Sequence, residues 1–279
     1  MSDSPRTFAP GRLIWTIDRE GILLLGAGRA LLLQIAHPLV AAGVAQHSDF
    51  TADPLGRLRR TLDASYALVF GGVEAAQAAV RRMDAVHGRV HGVLPEPVGR
   101  FTAGTPYDAM DPALRLWVHA TLTDTSLLVY QRFVRPLSRA EQVAYYADSR
   151  QVARLLGIPE PTVPPTLDAF RAYVADTLAR DVAVAPATRA LARLIFRPPR
   201  SVTLAPVGAV LEPITVGLLP AEVRRQYGYE WTPARERLMA AFAASVRAAL
   251  PAIPSLLRVV PAARAAERGV RPYNLNNLA

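Results

Sequence analysis

The amino-acid sequence predicts an all-α protein, a single helical domain over residues 1–279, with its core at about residues 15–265 and a mobile C-terminal tail. Hydrophobic residues make up 51% of the chain, which is enough to bury a large core. Apolar side chains recur at helical spacing, and no segment alternates apolar and polar residues as a half-buried strand does. Because no long linker interrupts this pattern, we expect one domain rather than two.

Capping signals mark where individual helices begin. Asp111 and Thr232 each precede a proline, so a polar side chain can cap a helix whose first residue needs no amide donor. Ser138 and Glu141 fit the capping box, in which two side chains satisfy free backbone amides reciprocally. The predicted helices span residues 20–45 (one helix or two), 54–70, 73–91, 112–134, 139–156, 166–180, 185–196, 220–227 and 233–249. The predicted loops are 92–111, 158–165 and 197–219, the last a long covering loop with one short helix.

The composition excludes several classes of site and partner. There is no cysteine, which excludes disulfides, iron–sulfur clusters, thiolate-bound haem and thiolate zinc sites. Every basic residue is arginine, so a P-loop lysine and a Schiff-base lysine are excluded as well. The net charge of +9 comes from scattered arginines without a nucleic-acid-reading motif, so we expect no nucleic-acid partner.

The apolar run from Ile22 to Val44 is the strongest candidate for a membrane segment. Arg29, Gln34 and His37 interrupt it, so it falls short of the roughly 18 uninterrupted apolar residues that a spanning helix needs. The first residues of the chain also lack a signal-peptide pattern. We therefore expect no stable membrane insertion and a cytoplasmic protein.

Five histidines, His37, His47, His87, His91 and His119, are the available nitrogen ligands for a metal or cofactor. His87 and His91 are four residues apart on the predicted helix 73–91 and so point to one face. Gly88, which follows His87, removes a side chain and lets a flat ligand approach. From spacing alone, a buried histidine that bonds a backbone carbonyl is the commoner outcome, and a ligand role stays open beside it.

A second polar cluster lies near the start of the predicted helix 54–70. Arg57, Arg60 and Thr61 fall on one helical face at spacings of three and four. If they are buried, these arginines could bind carboxylates, because the guanidinium fork matches that geometry. The alternative, which is commoner for such spacing, is a solvated face paired with Asp63 or Glu74.

Several short motifs occur together along the chain. They are Gln34-Ile-Ala-His37-Pro38, His47-Ser48, Asp53-Pro54, Arg57-Leu58, Arg60-Thr61, Phe70-Gly71, His87-Gly-Arg-Val90 and Trp117-Val-His119. In this combination the chain resembles the MpaB/rubber-oxygenase catalytic-domain family, whose best understood branch is latex-clearing protein. The resemblance runs from about Trp15 to Ala265.

The resemblance implies a globin-like helical core around a pocket for haem b. It carries the role of iron ligand to His87, because Met83-Asp-Ala-Val-His87 is similar to the family's proximal-histidine pattern. It also implies that Arg57, Arg60 and Thr61 line the opposite side of the haem. His119 and His37 are further candidates for contacts with the cofactor, and His119 is the alternative iron ligand.

One departure from the latex-clearing pattern is at Arg60, where that pattern has lysine. A neutral lysine can bind iron, whereas arginine stays protonated and has no free lone pair. The resemblance therefore predicts a sixth iron position that is empty, water-filled or taken by another group, and it does not carry over the latex-clearing reaction.

The leading functional hypothesis is a haem-dependent oxygenase or oxidase that acts on a small hydrophobic molecule with dioxygen or peroxide. In this hypothesis Arg57, Arg60 and Thr61 are the catalytic residues, which stabilise bound oxygen by charge and hydrogen bonding.

Three alternatives remain at this point. One is a haem-binding sensor or carrier without turnover. Another is a non-haem metal enzyme that uses His87, His91 and His119 with Asp84. The third is a cofactor-free helical protein that binds partners. A homodimer through an exposed face of the C-terminal helix is a further expectation.

Overall fold

Helices make up most of the computed structural model, which describes residues 5–47, 54–196 and 205–269. In these ranges the α-helices are α1 (Leu13–Asp18), α2 (Ala27–Ala36), α3 (Pro38–His47), α4 (Pro54–Phe70), α5 (Val73–His87), α6 (Pro112–Phe133), α7 (Arg139–Leu155), α8 (Leu167–Arg180), α9 (Pro186–Phe196), α10 (Ala205–Leu218), α11 (Ala221–Tyr227), α12 (Pro233–Ala249), α13 (Ser255–Arg258) and α14 (Pro261–Glu267). Strands β1 (His91–Val93) and β2 (Pro106–Asp108) form an antiparallel hairpin between α5 and α6. The predicted helical class is confirmed.

Helix α6 passes through the middle of the molecule. Its start follows from the sequence, because Asp111 accepts a hydrogen bond from the amide of Ala113 at 2.7 Å and Pro112 is the first helical residue. Buried side chains extend along it from Leu114 to Phe133 and lie on all of its faces. Such a helix has to be surrounded, and α1, α2, α7, α8 and α12 all pack against it.

The buried Arg29 joins α6 to two of its neighbours, α2 and α10. Arg29 on α2 donates from Nε to the carbonyl oxygen of Leu218 at 2.9 Å and from Nη2 to Asp124 at 2.6 Å. Its third contact is with the hydroxyl of Thr125. Only 5% of the arginine side chain is exposed. The guanidinium therefore replaces its lost hydration with hydrogen bonds that join α2, α6 and α10.

The two ends of the chain meet near α1. The carboxylate of Glu20 accepts two hydrogen bonds from Arg258, from Nε at 2.7 Å and from Nη2 at 2.9 Å. This bidentate geometry suits the guanidinium fork. On the other side of α1, the buried carboxylate of Asp148 pairs with Arg12 and accepts from the amide of Ile14 at 3.3 Å. The N-terminal helix is thus held both by α7 and by the C-terminal segment.

Helices α4 and α5 form an antiparallel pair with a two-residue connection, Gly71 and Gly72. A Cβ at Gly71 would lie 2.4 Å from the carbonyl oxygen of Ala67, closer than any side chain tolerates. The sharp turn therefore requires glycine at this position. Because the connection is so short, the C-terminal end of α5 returns alongside the N-terminal end of α4.

Several boundaries differ from the sequence-based expectations. The predicted helix 73–91 ends at His87, and the loop predicted at 92–111 contains the hairpin, which has a long connection instead of an Asn-Gly turn. The prediction of a mostly irregular 197–219 was wrong, since α10 continues past the exposed Pro213. Residues 197–204 and the predicted mobile tail lie outside the described ranges.

No single helix among the described residues is long and apolar enough to cross a membrane. One pair, Gly21–Ala36 with Pro38–His47, has sufficient length and apolar composition when taken together, but it bends by 102° at the break. Leu32, Leu33 and Ile35 of this pair are fully buried within the protein.

The Arg29 network gives a test of the packing around α6. Replacing Arg29 with methionine removes the donors and leaves the Leu218 carbonyl and part of Asp124 without partners. We expect the free energy of unfolding, measured by urea titration, to fall by about 2–3 kcal/mol. The matched control is Arg225→Met, which removes an exposed pair with Glu222 and should change stability by less than about 0.5 kcal/mol. Equal effects of both variants would contradict this description of Arg29.

Candidate functional site

The antiparallel pair of α4 and α5 brings His87 close to the first turns of α4. Burial raises the pKa of Asp63 on α4, and the positive charges of Arg59 and of Arg82 on α5 only partly offset that rise. Asp63 and Arg82 therefore lie within reach of each other's charge. Because α4 and α5 run antiparallel with a short connection, the end of α5 that carries His87 returns beside the first turns of α4, where Arg59 lies.

His87 is the last residue of α5, and its ring is partly buried. Its carbonyl oxygen accepts from the amide of Val90 at 2.9 Å, and the amide of Gly88 bonds the Asp84 carbonyl at 2.8 Å. A Cβ at Gly88 would meet only that Asp84 carbonyl oxygen, at 3.3 Å. Space is therefore available beside His87, as the sequence predicts for this glycine.

An ion pair fixes the end of α5 against the core. Asp84, three residues before His87, accepts a hydrogen bond from Nη2 of Arg115 at 2.8 Å. Only 11% of the Arg115 side chain is exposed, so the pair is shielded from solvent on the arginine side. Because Arg115 belongs to α6, the position of His87 is set by the central helix.

The structure describes two of the three side chains in the predicted cluster on α4. Arg57 is in the helix, but its side chain is outside the described part of the structure. Arg60 and Thr61 are exposed. The neighbouring Arg59 is partly buried, and its Nη2 is buried without a hydrogen-bond partner among the described residues.

Sequence reasoning missed Arg59 as a site residue. The signal was its spacing, because Arg59 and Asp63 are four residues apart on α4, one turn of the helix, and their charges interact. The roles predicted for Arg57, Arg60 and Thr61 stay predictions.

His119 lies in the core, on α6. Its Nε2 is 3.0 Å from both the carbonyl oxygen and the hydroxyl oxygen of Ser149 on α7. Thr123 completes the group with a 2.7 Å contact to the same hydroxyl. Burial lowers the pKa of His119 to about 4, so the ring is neutral at neutral pH. These contacts describe a histidine that joins α6 to α7, the commoner outcome that spacing favours.

His37 is also buried, at the bend between α2 and α3. Its ring contacts Phe101, with centroids 5.3 Å apart, and its Nδ1 has no hydrogen-bond partner among the described residues. Burial lowers the pKa of His37 to about 4 against the opposing charge of Asp181. At the other end of α3, His47 contacts the carbonyl oxygen of His91 on β1. His37 itself packs against Phe101 at the bend between α2 and α3.

The expectation that His91 shares a helical face with His87 was wrong. His91 is exposed on β1 and pairs with Asp108 across the hairpin. In residues 5–47, 54–196 and 205–269, no three side chains of histidine, aspartate or glutamate converge as a metal site would require. The structure therefore gives no support to a non-haem site built from His87, His91, His119 and Asp84.

Comparison with known proteins identifies the family. Residues 14–248 match the family described as ER-bound oxygenase mpaB/B'/Rubber oxygenase, catalytic domain. The chain belongs to this family. Two uncharacterised relatives, one from Mycobacterium tuberculosis and one from Mycobacterium bovis, are each 30% identical over 219 residues, which cover 74% of this chain and 80% of the relative. No solved structure matches the chain.

The family match confirms the resemblance that the sequence motifs indicated. It extends from α1 to the end of α12 and includes both the α4–α5 pair and the central helix α6. This oxygenase-family region therefore contains every residue that the sequence proposes for the site, whereas α13 and α14 lie beyond it.

The core position of His119 predicts a pH dependence of stability. Because burial lowers its pKa from 6.5 to about 4, the unfolded chain binds more protons than the native protein between these values. Stability therefore falls as the pH is lowered from about 7 towards 4. Replacing His119 with glutamine removes the titrating group and keeps a side chain that can donate to Ser149. We expect a smaller loss of stability between neutral and acidic pH in this variant, measured by urea unfolding. An unchanged slope would show that His119 is not a buried neutral histidine.

Proposed function

We propose that the protein is a haem-b-dependent oxygenase that acts on a small hydrophobic molecule with dioxygen or peroxide, and that His87 binds the iron. Family membership supports oxygenase chemistry. The observation that carries the assignment to His87 is its position, because the residue is partly exposed, has space beside it and lies at the α4–α5 end where Arg59 has a buried Nη2.

The residues at this end of the α4–α5 pair fit a haem. Haem iron takes a neutral imidazole as its protein ligand, and a partly exposed ring such as that of His87 is accessible to it. Haem also carries carboxylates, which pair well with guanidinium groups. The buried Nη2 of Arg59, which has no hydrogen-bond partner among the described residues, can supply such a contact. His119 fits poorly, because binding iron would displace Ser149 from its Nε2.

When bound, the haem would supply the activation of dioxygen or peroxide. The residues of this chain would hold and orient the reactants. Arg60 stays protonated, so its part is to donate hydrogen bonds to a reacting oxygen rather than to bind iron. The Thr61 hydroxyl can donate a hydrogen bond to the same oxygen or accept one from it. Both are exposed and so accessible to a molecule that enters over the start of α4.

Apolar side chains beside the site favour a hydrophobic substrate. Leu58, next to Arg59, is 40% exposed, and Val86, next to His87, is 62% exposed. Large apolar side chains at the mouth of a site gain free energy when a hydrophobic molecule covers them. The Asp84–Arg115 ion pair would keep the end of α5 in place as that molecule binds.

The assignment of the iron ligand is tested by an absorption spectrum of the purified protein after addition of haem. We expect a Soret band in the wild type, its loss in His87→Gly, and its recovery when imidazole fills the space left by the side chain. The matched control is His91→Gly, which removes an exposed histidine from the hairpin and should keep the wild-type spectrum. A normal Soret band in His87→Gly without imidazole, or no band in the wild type, would overturn the assignment.

The role of Arg60 is tested by turnover. Arg60→Met removes a permanent donor and should leave haem binding intact, while oxygen uptake with a reductant falls by at least about tenfold. Arg81→Met, an exposed arginine on α5, serves as the control and should leave the rate unchanged. Oxygen uptake equal to that of the wild type would contradict a catalytic role for Arg60. No uptake by the wild type itself would favour a haem-binding sensor or carrier.

A further inference from the structure

Large apolar side chains are exposed along α12 and in the segment that follows it, near the C-terminal end of the described chain. Leu238 and Phe242 lie one turn apart on α12, and Ile253, Leu256 and Leu257 follow in and around α13. The exposed fraction reaches 72% for Leu238, 61% for Leu256 and 77% for Leu257. We call these five residues the apolar C-terminal surface. Scattered exposed leucines are ordinary, but a group of this kind indicates a binding surface.

The surface continues onto the short 3₁₀ helix at Gly21–Gly26. A Cβ at Gly21 would lie 3.0 Å from the carbonyl oxygen of Arg258, the last residue of α13. Residues three apart eclipse each other in a 3₁₀ helix, so Leu24 lies above Gly21 on the side of α13. Leu24 is itself 44% exposed. The apolar region therefore includes side chains from both ends of the chain.

Arginine outnumbers acidic residues in this region. From Arg237 to Ala266 the chain contains four arginines, at 237, 247, 258 and 264, and no aspartate or glutamate, with Glu236 and Glu267 bordering that stretch. Glu20 neutralises Arg258. Arg247 donates to the backbone carbonyl oxygen of Arg132 and has no acidic partner in the described part of the chain, so it keeps its net positive charge. The protein as a whole carries +9.

We propose that the apolar C-terminal surface docks on an anionic lipid bilayer, with Leu256 and Leu257 entering the headgroup region. Exposed leucine and phenylalanine flanked by arginine is the pattern of a peripheral membrane contact, in which burial of apolar area and attraction to anionic lipid act together. No spanning helix is needed for such a contact. The site extends beyond residues 14–248, the range of the family match, and it does not depend on haem.

A second copy of the chain fits the surface less well. A two-fold dimer through this surface would bring the exposed Arg237 and Arg247 of one copy towards those of the other, and like charges opposed in this way weaken association. An anionic bilayer, by contrast, attracts the same arginines, and its interior accepts the leucines.

Vesicle flotation with the full-length protein tests the proposal. We expect the protein to float with vesicles of phosphatidylcholine mixed with phosphatidylglycerol, to float much less with phosphatidylcholine alone, and to dissociate as salt is raised. Leu257→Ser should lower the partition coefficient between water and the anionic vesicles about tenfold, because the substitution removes a leucine side chain that inserts into the bilayer. Its high exposure means that the substitution leaves the fold unchanged, which circular dichroism verifies.

Two controls separate the outcomes. Val143→Ser removes an exposed apolar side chain from α7, outside the surface, and should bind vesicles like the wild type. Arg237→Gln with Arg247→Gln should reduce binding to the anionic vesicles only. Absence of flotation in the wild type, or equal flotation of Leu257→Ser, would overturn the proposal. A dimer seen by analytical ultracentrifugation and lost in Leu257→Ser would assign the surface to a second copy instead.

Discussion

The burial of α6 is the constraint on which the rest of the structure depends. This helix is apolar enough to be enclosed, yet it also carries His119, Thr123 and Thr125 into the core. Buried polar groups of this kind require partners, and Ser149 and Arg29 provide them from α7 and α2. The same contacts that satisfy these groups fix the positions of the surrounding helices. They also engage the ring of His119, whose Nε2 lies 3.0 Å from Ser149.

The candidate site lies where the core gives way to the surface. Helix α5 is fixed to α6 by the Asp84–Arg115 ion pair, and one turn later it ends at His87. On the facing helix, Arg59 is partly buried while Arg60 is exposed, so charge and access are provided by neighbouring residues. A rigid attachment on one side and an open approach on the other is the arrangement that a binding site requires.

Much of the fold follows from local chemistry in the sequence. The caps at Asp111, Ser138 and Thr232 start α6, α7 and α12 as expected, because the side chain that satisfies the first amides is adjacent in the chain. The end of α5 was harder to predict, because the helical spacing of residues continues to His91 although the helix ends at His87 and the backbone enters β1. The long connection between β1 and β2 has no local sequence signature. Helix α10 was not predicted in full because it contains Pro213, which sequence patterns treat as a helix breaker but which the folded structure tolerates.

The candidate site, like the fold, could be predicted from the sequence only in part. The family motifs lead to His87, and its position at the α4–α5 end fits that role. Which arginine is partly buried depends on helix rotation, and spacing alone could not choose Arg59 over Arg60. The partner of His119 is on another helix, 30 residues away, so sequence spacing could not show that its ring is already engaged.

An anomalous-difference map at the iron edge, from crystals of the haem-reconstituted full-length protein, tests the central claim most directly. The account predicts one iron peak within bonding distance of a ring nitrogen of His87, with His119 still bonded to Ser149. A peak beside His119 or His37 would contradict the account.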